Sequence, residues 1–285
     1  MRLVKIAIAL CCVVLPATAS AQVAFPPDSA WFPLRCNRAP MTDRFADQPG
    51  ALDERDIVGD PGAPAGMRAA DEINLYLRMR LEEDPAPGGM VKPLSWGMEF
   101  DLDGNLSTYE VMVVASGVAG SAGTVKVYRN TATALPNDPN DPADLPFVAT
   151  YDFVMNARTL TAPGSMYGSS PDFFLDFAVP WSALTPLGLD RNTPTYVWAA
   201  TSSAASNLDG DIACHNGAGG PATLSGTVSD PTTGDPAQDP VGPVGTGQLE
   251  GGGGCSTGGT GSPLGTLGAL ALFARLAVRR RRTQR

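Results

Sequence analysis

The run Asp101-Leu-Asp103-Gly104-Asn105-Leu-Ser107, followed by Glu110, sets side-chain oxygens at alternate positions. Hard cations such as calcium take six to eight oxygen ligands, and a D-x-D-x-N-x-S run offers several from one short loop. The match to an EF-hand is partial. Glycine comes too early in the run, the acidic closer comes two places short, and strand-like patterns replace the flanking helices. Asp-Gly-Asn is also a hairpin-turn signal in its own right, so the segment reads either as a turn or as a calcium site. Asn207-Leu-Asp209-Gly-Asp211 has a similar look. It reads as a second site, as a completion of the first, or as a solvated acidic turn.

Aromatic and basic residues suggest a different chemistry. Tyr76, Tyr109, Trp96, Trp181 and Trp198 can stack on a sugar ring or fill a core, and core packing absorbs most tryptophans in a sandwich. Trp181 and Trp198 are expected in the core and Trp96 is expected to be more open. Tyr76 is the best-placed platform, because it alternates with apolar neighbours on the same face as Arg78 and Arg80. Those two arginines can clamp a carboxylate or pair with nearby acids. Tyr76, Arg78, Arg80 and Trp96 are therefore the candidate ligand-binding residues. Two carboxylates such as Glu99 and Glu110 can act as acid and base on a glycoside, although any acidic sandwich supplies such pairs.

Composition limits the scaffolds that can position these groups. The chain has 285 residues, 43% of them hydrophobic and 17% charged, long enough for one well-buried domain. Its 32 glycines and 26 prolines favour turns over long helices. The five cysteines never fall at CxxC spacing and there is one histidine, which excludes a mixed Cys/His zinc cluster. A Ser-His-acid or Cys-His machine would rest on His215 alone, which reads as a surface residue beside Cys214. All 29 acidic residues lie between Asp28 and Glu250, whereas eight of the 20 basic residues sit at the extreme ends. The body thus sets 12 basic residues against 29 acidic ones, a net charge of −17. A surface that acidic repels phosphate backbones, so nucleic acid is not an expected partner.

The ends read as addresses. In residues 1–21, Arg2 and Lys5 form a positive region, Ile6 to Leu15 an apolar core, and Ala19-Ser20-Ala21 a small-residue cleavage site, the pattern of a secretory signal. A lipoprotein signal through Cys11 or Cys12 is the alternative. Residues 217–254 are rich in Gly, Pro, Ser, Thr and Asp with few apolar side chains, and read as a disordered stalk. Residues 255–285 carry an apolar stretch, Pro263 to Val278, and then Arg279-Arg280-Arg281-Arg282. Such a cluster stays on the cytoplasmic side of a membrane. Small residues around one cysteine, an apolar segment and a basic end together resemble the myxobacterial C-terminal sorting tail, MYXO-CTERM, with Gly254-Cys255 as its core. The resemblance implies recognition by export and C-terminal processing machinery, cleavage or lipidation near Cys255, at least transient membrane contact through this segment, and display at the cell surface.

Residues 22–216 remain as the folded domain, and their dominant period is two. Ile73, Leu75, Leu77, Met79 and Leu81 alternate with Asn74, Tyr76, Arg78 and Arg80, a strand with one buried and one wet face. Ser95–Leu102, Thr108–Ser116, Val125–Arg129, Phe147–Met155, Phe173–Val179 and Thr195–Ser203 also read as strands, and Pro180 to Leu187 as a short helix. This predicts an all-β fold, a single antiparallel sandwich of jelly-roll type. Cys36 and Cys214 lie near its two ends, and in an exported protein they are expected to form a disulfide worth about 4–5 kcal/mol, or to stay as two thiols if the fold keeps them apart.

The segments Asp71-Glu-Ile-Asn-Leu-Tyr76-Leu-Arg78-Met-Arg80, Trp96-Gly97 with Asp101-Leu-Asp103, and Phe174-Leu-Asp176-Phe-Ala178-Val-Pro180-Trp181 resemble family 9 carbohydrate-binding modules and the related DOMON-like sandwiches. The resemblance spans about Ile57 to Asp211. It implies a sandwich that binds sugars or a cofactor, sometimes with structural calcium. The expected function is a non-catalytic, surface-displayed module that binds a polysaccharide or other envelope component, with calcium as the possible cofactor. A secreted carboxylate hydrolase and a purely structural envelope protein are the alternatives.

Overall fold

The computed structural model describes residues 22–36, 39–47, 52–105, 108–132, 134–135 and 140–214. The signal, stalk and sorting segments, with Ser107, His215, Gly254 and Cys255, lie outside the described residues.

The strands are β1 (Phe32–Pro33), β2 (Arg35–Cys36), β3 (Ala39–Pro40), β4 (Gly66–Ala70), β5 (Asn74–Leu81), β6 (Ser95–Asp101), β7 (Val111–Ser116), β8 (Thr124–Arg129), β9 (Ala149–Asp152), β10 (Ala157–Thr161), β11 (Phe173–Pro180), β12 (Tyr196–Ser202) and β13 (Ile212–Ala213). A single helical turn, α1 (Phe153–Asn156), follows β9, and α2 (Trp181–Leu184) follows β11. One sheet has the order β1-β4-β5-β11-β10 and the other β13-β12-β6-β7-β8-β9, with β2-β3 as a small ribbon. All pairings between the strands are antiparallel. The fold is an all-β sandwich, as the period of two predicted. The expected strand Phe147–Met155 is cut short, because its second half turns into α1. β1 to β4, β10 and β13 were not anticipated from the sequence.

Leu75, Leu77, Met79 and Leu81 of β5 and Leu175, Phe177 and Val179 of β11 join Trp96, Met98, Phe100, Val113, Val125 and Val127 of the second sheet in one continuous core. Alternation sends Gly97, Glu99 and Asp101 to the opposite side of β6.

The expected wet face of β5 is not wet. Tyr76, Arg78 and Arg80 are all buried. The chain ahead of β1 lies over Tyr76 and Arg78: Val23, Phe25 and Trp31 cluster with Tyr76, Ala69 and Ala178, and Trp31 stacks on Arg78. Register then determines the chemistry. Arg78 stands opposite Asp176, and Asp176 opposite Arg158. Arg78 Nε and Nη2 donate to the two Asp176 oxygens at 2.6 and 2.9 Å, and Arg158 Nε donates to Asp176 Oδ2 at 2.9 Å. The Arg78 guanidinium lies 4.2 Å from the ring centres of both Trp31 and Phe174. A planar cation stacked on aromatic faces and forked onto a carboxylate can be buried where a wet face was expected.

The outer side of the second sheet is covered as well. Tyr109 packs edge-on against Trp198, its hydroxyl donating to Asp141 O at 2.7 Å. Asp141 in turn accepts from Asn130 Nδ2 and from the backbone N–H groups of Ala134 and Leu135. Trp198 Nε1 donates to Glu99 Oε2, while Glu99 Oε1 has no hydrogen-bond partner. Burial pushes the Glu99 carboxyl well above 4.5, toward its protonated form.

Cys36 and Cys214 form the expected disulfide, with Cα atoms 5.5 Å apart and a sequence separation of 178. On the chain-entropy model a loop of this length is worth about 5 kcal/mol.

Two stability measurements follow from these buried charges. Asp176→Ala leaves Arg78 buried without its carboxylate and is expected to cost about 3–5 kcal/mol in urea denaturation. Asp28, which also touches Arg78 but is 71% exposed, should cost no more than about 1 kcal/mol when changed to alanine. For Glu99 the sign is set by linkage. As pH falls below about 4.3, the carboxyl becomes mostly neutral in the unfolded chain as well as in the folded one. Above that, the unfolded chain releases a proton the folded chain keeps, so stability falls as pH rises. Glu99→Gln should therefore match the parent at pH 4 and exceed it in thermal midpoint at pH 8.

Candidate metal centre

β6 ends at Asp101 and β7 begins at Val111, with Phe100 opposite Val111, so residues 102–110 are a hairpin connection. The turn reading holds, and the turn also gathers the carboxylates of the metal reading. Asp101 Oδ1 accepts from the backbone N–H of Asp103 at 3.0 Å and of Gly104 at 2.7 Å, which folds the chain back on itself. Asp103 Oδ1 repeats this with the N–H of Asn105 at 2.8 Å. Gly104 sits at φ +83°, in the left-handed region glycine enters without strain. Glu110 returns from the far side of the loop, and its Oε2 accepts from the N–H of Leu102 at 2.7 Å.

The result is that Asp101, Asp103 and Glu110 converge, one oxygen from each lying within 4.8 Å of the others. Asp101 is fully buried, and its Oδ2 accepts no hydrogen bond. Burial first, and then repulsion from Glu110 and Asp103, pushes its carboxyl up to about 6. Glu110 is also raised, mainly by burial and then by Asp103. Clustered carboxylates with an orphaned buried oxygen suit a hard cation, whose bonds replace the missing donors. These three residues would supply part of the six to eight oxygens calcium takes, leaving coordination positions on the solvent side, where Asp103 and Asn105 are exposed.

The other sequence candidates are placed differently. Trp96 is fully buried rather than open, its Nε1 donating to Glu54 O at 2.7 Å. Trp181 and Trp198 are in the core as expected, and Tyr109 is buried with them. Tyr76 is buried and its hydroxyl donates to Asp71 Oδ2 at 2.6 Å. Arg78 is committed to Asp176, and Arg80 bonds to Pro64 O and Ser165 Oγ beside the Phe174 ring. None of the four ligand-binding candidates presents an open face, because the segments that cover them lie far away in sequence. Glu99 is sealed in the interior, so Glu99 and Glu110 are not an accessible acid–base pair. Asp211 is not a solvated turn residue either. It is buried, and its Oδ2 accepts from Ile57 N at 2.6 Å. Asp43 and Asp47 come to meet it. Nothing in the local pattern of the 41–47 segment marks those two as site residues. The one usable signal was the Asp-Gly-Asp run at the other end of the chain.

Compared with protein-family models, with curated proteins and with solved structures, the chain matches none.

The left-handed turn gives a direct check on the site's frame. A Cβ on Gly104 meets nothing within 4 Å, so any cost of substitution is conformational. Gly104→Ala should lose about 1 kcal/mol in urea denaturation, and Gly104→Asn less, because asparagine tolerates this region better.

Proposed function

We propose that this chain is a non-catalytic, cell-surface binding module that holds calcium at the β6–β7 turn and presents it to a polysaccharide or other envelope component. The observation that carries the reading is the buried Asp101, with its orphaned oxygen, facing Asp103 and Glu110 at the mouth of an exposed loop. A calcium ion held by three carboxylates on one side keeps positions for water or for vicinal sugar hydroxyls on the other. Recognition of this kind needs no aromatic platform, which fits the burial of Tyr76, Arg78, Arg80 and Trp96. Surface display is supported by the signal-like N-terminus, by the tail that resembles MYXO-CTERM, and by a disulfide, which is compatible with an oxidising location. Among the described residues no helix is long and apolar enough to cross a membrane.

Burial of the aromatic and arginine candidates also favours a second reading, a structural envelope protein without a soluble ligand. Retention of the oxidised protein on a panel of insoluble polysaccharides and on a glycan array, in calcium and in EDTA, separates the two. The module reading expects retention that EDTA abolishes and that Asp103→Asn weakens at least tenfold. Retention indifferent to EDTA would remove calcium from recognition. Binding to no glycan in either buffer would leave the structural role.

A further inference from the structure

The β6–β7 turn is tied to the rest of the domain at one of its three carboxylate residues. Asp101 and Asp103 are held by N–H groups of the turn itself. Glu110 is anchored more widely. Its N–H donates to Phe100 O at 3.0 Å, its carboxylate Oε2 accepts from Leu102 N at 2.7 Å, and its carbonyl accepts from Asn130 N at 2.9 Å. Asn130 follows β8, outside the turn. The place of Glu110 opposite Asp101 and Asp103 is thus set in part by the body of the sheet.

The two residues beside this anchor lead to one place. Tyr109 precedes Glu110, is fully buried, and donates its hydroxyl to Asp141 O at 2.7 Å. Asn130, 5% exposed, donates from Nδ2 to Asp141 Oδ2 at 3.0 Å. Asp141 is fully buried and lies in residues 140–148, a stretch that packs over the outer side of the second sheet. Its neighbours are pinned from the backbone, Ala143 N on Ser206 O at 2.9 Å and Asp144 N on Arg129 O at 2.8 Å. The Tyr109 ring also packs edge-on against Trp198, with ring centres 6.4 Å apart. Close-packed interiors pass small displacements on rather than absorb them. A shift of Glu110 therefore moves Tyr109 and Asn130 together, and with them the seat of Asp141.

We propose that Tyr109 is a positioning residue for the turn, and that a calcium ion held there and the seating of residues 140–148 strengthen one another through Tyr109, Asn130 and Asp141. The inference rests on the calcium reading of the β6–β7 turn. Groups that orient a ligand without touching the ion commonly set metal affinity. The coupling is reciprocal. If a seated Asp141 favours the ion, the bound ion favours a seated Asp141 by the same factor. A partner that presses residues 140–148 onto the sheet would raise the calcium affinity, and one that lifts them would lower it.

The test uses the full-length oxidised chain with calcium alone. Equilibrium dialysis gives the affinity, and hydrogen exchange read by mass spectrometry on peptides spanning 140–148 gives the seating. In the parent, calcium is expected to slow exchange of the Ala143 and Asp144 amides. Tyr109→Phe removes only the hydroxyl on Asp141 O. It should weaken calcium binding at least about fivefold and abolish the slowing. Ser95→Ala is the control for a merely structural effect. It breaks a buried hydroxyl pair with Ser116 at the other end of the same two strands and should change neither readout. Calcium bound as tightly by Tyr109→Phe as by the parent would overturn the coupling, as would an equal loss in Ser95→Ala. Exchange across 140–148 that ignores calcium in the parent would overturn it too, and that measurement needs no variant to fold. Failure of the turn reading looks different: the parent binds no calcium, or Asp103→Asn binds it undiminished, and the coupling then falls with it.

Discussion

The forked pair of Arg78 and Asp176 is the contact on which the rest of this architecture depends. It sits in the middle of the outer face of the first sheet, where β5 and β11 run side by side, and Arg158 of β10 completes it from the third strand. Water would be the ordinary neighbour of such charges. Here Trp31 and Phe174 enclose the guanidinium from their ring faces, and the segment that carries Phe25 and Trp31 must cross the sheet to do so. Once that segment lies across β5, its continuation through β1, β2 and β3 is directed to the edge where Cys36 meets Cys214. A buried ion network contributes little net stability against an apolar replacement, but losing one partner is expensive. Here it ties the covering segment to the sheet, with Trp31 stacked on Arg78 and Phe25 on Arg158.

This explains what was legible in the sequence and what was not. The strands with strict alternation or dense β-branched content, β5, β6, β7, β8, β11 and β12, follow from local pattern, because each builds half of a shared core. The short strands β1, β2, β3 and β13 have no pattern of their own, and pairing with distant segments creates them. The polar row of β5 looked solvated because period-two reasoning records polarity and not the partner. Tyr76, Arg78 and Arg80 have the composition of a wet face and the surroundings of a buried one, since Asp71, Asp176 and the stacked rings satisfy them. Trp96 was misplaced for the same reason. Its acceptor is the carbonyl of Glu54, which no local spacing reveals.

The two carboxylate clusters differ in the same way. Asp101, Asp103 and Glu110 lie within one hairpin connection; Asp101 and Asp103 alternate along the chain, and its reversal brings Glu110 back to them. Asp43, Asp47, Asp56 and Asp211 are gathered from three separate stretches by a backbone bridge and by the hydrogen bond from Ile57 to Asp211. Only the tertiary fold makes them neighbours. A cluster within one loop can be read from spacing, whereas one made by closing the chain on itself cannot.

The charge balance connects both clusters to the environment proposed for the protein. The body carries 29 acidic residues against 12 basic ones. Several of the basic side chains are engaged elsewhere: Arg78 and Arg158 on Asp176, Lys92 on Glu54, Arg191 on Glu72. Of the buried carboxylates, Asp176 is met by two arginines, whereas burial pushes Glu99 and Asp101 up toward the protonated form. Extracellular calcium modules work with dissociation constants of about 10⁻⁴–10⁻³ M, an affinity that sparse, partly open carboxylate sets can reach. Under the proposed function, a domain closed by a disulfide and holding calcium at the β6–β7 turn would gain its full rigidity only in an oxidising, calcium-containing exterior. The acidic surplus would then make folding responsive to where the protein is delivered.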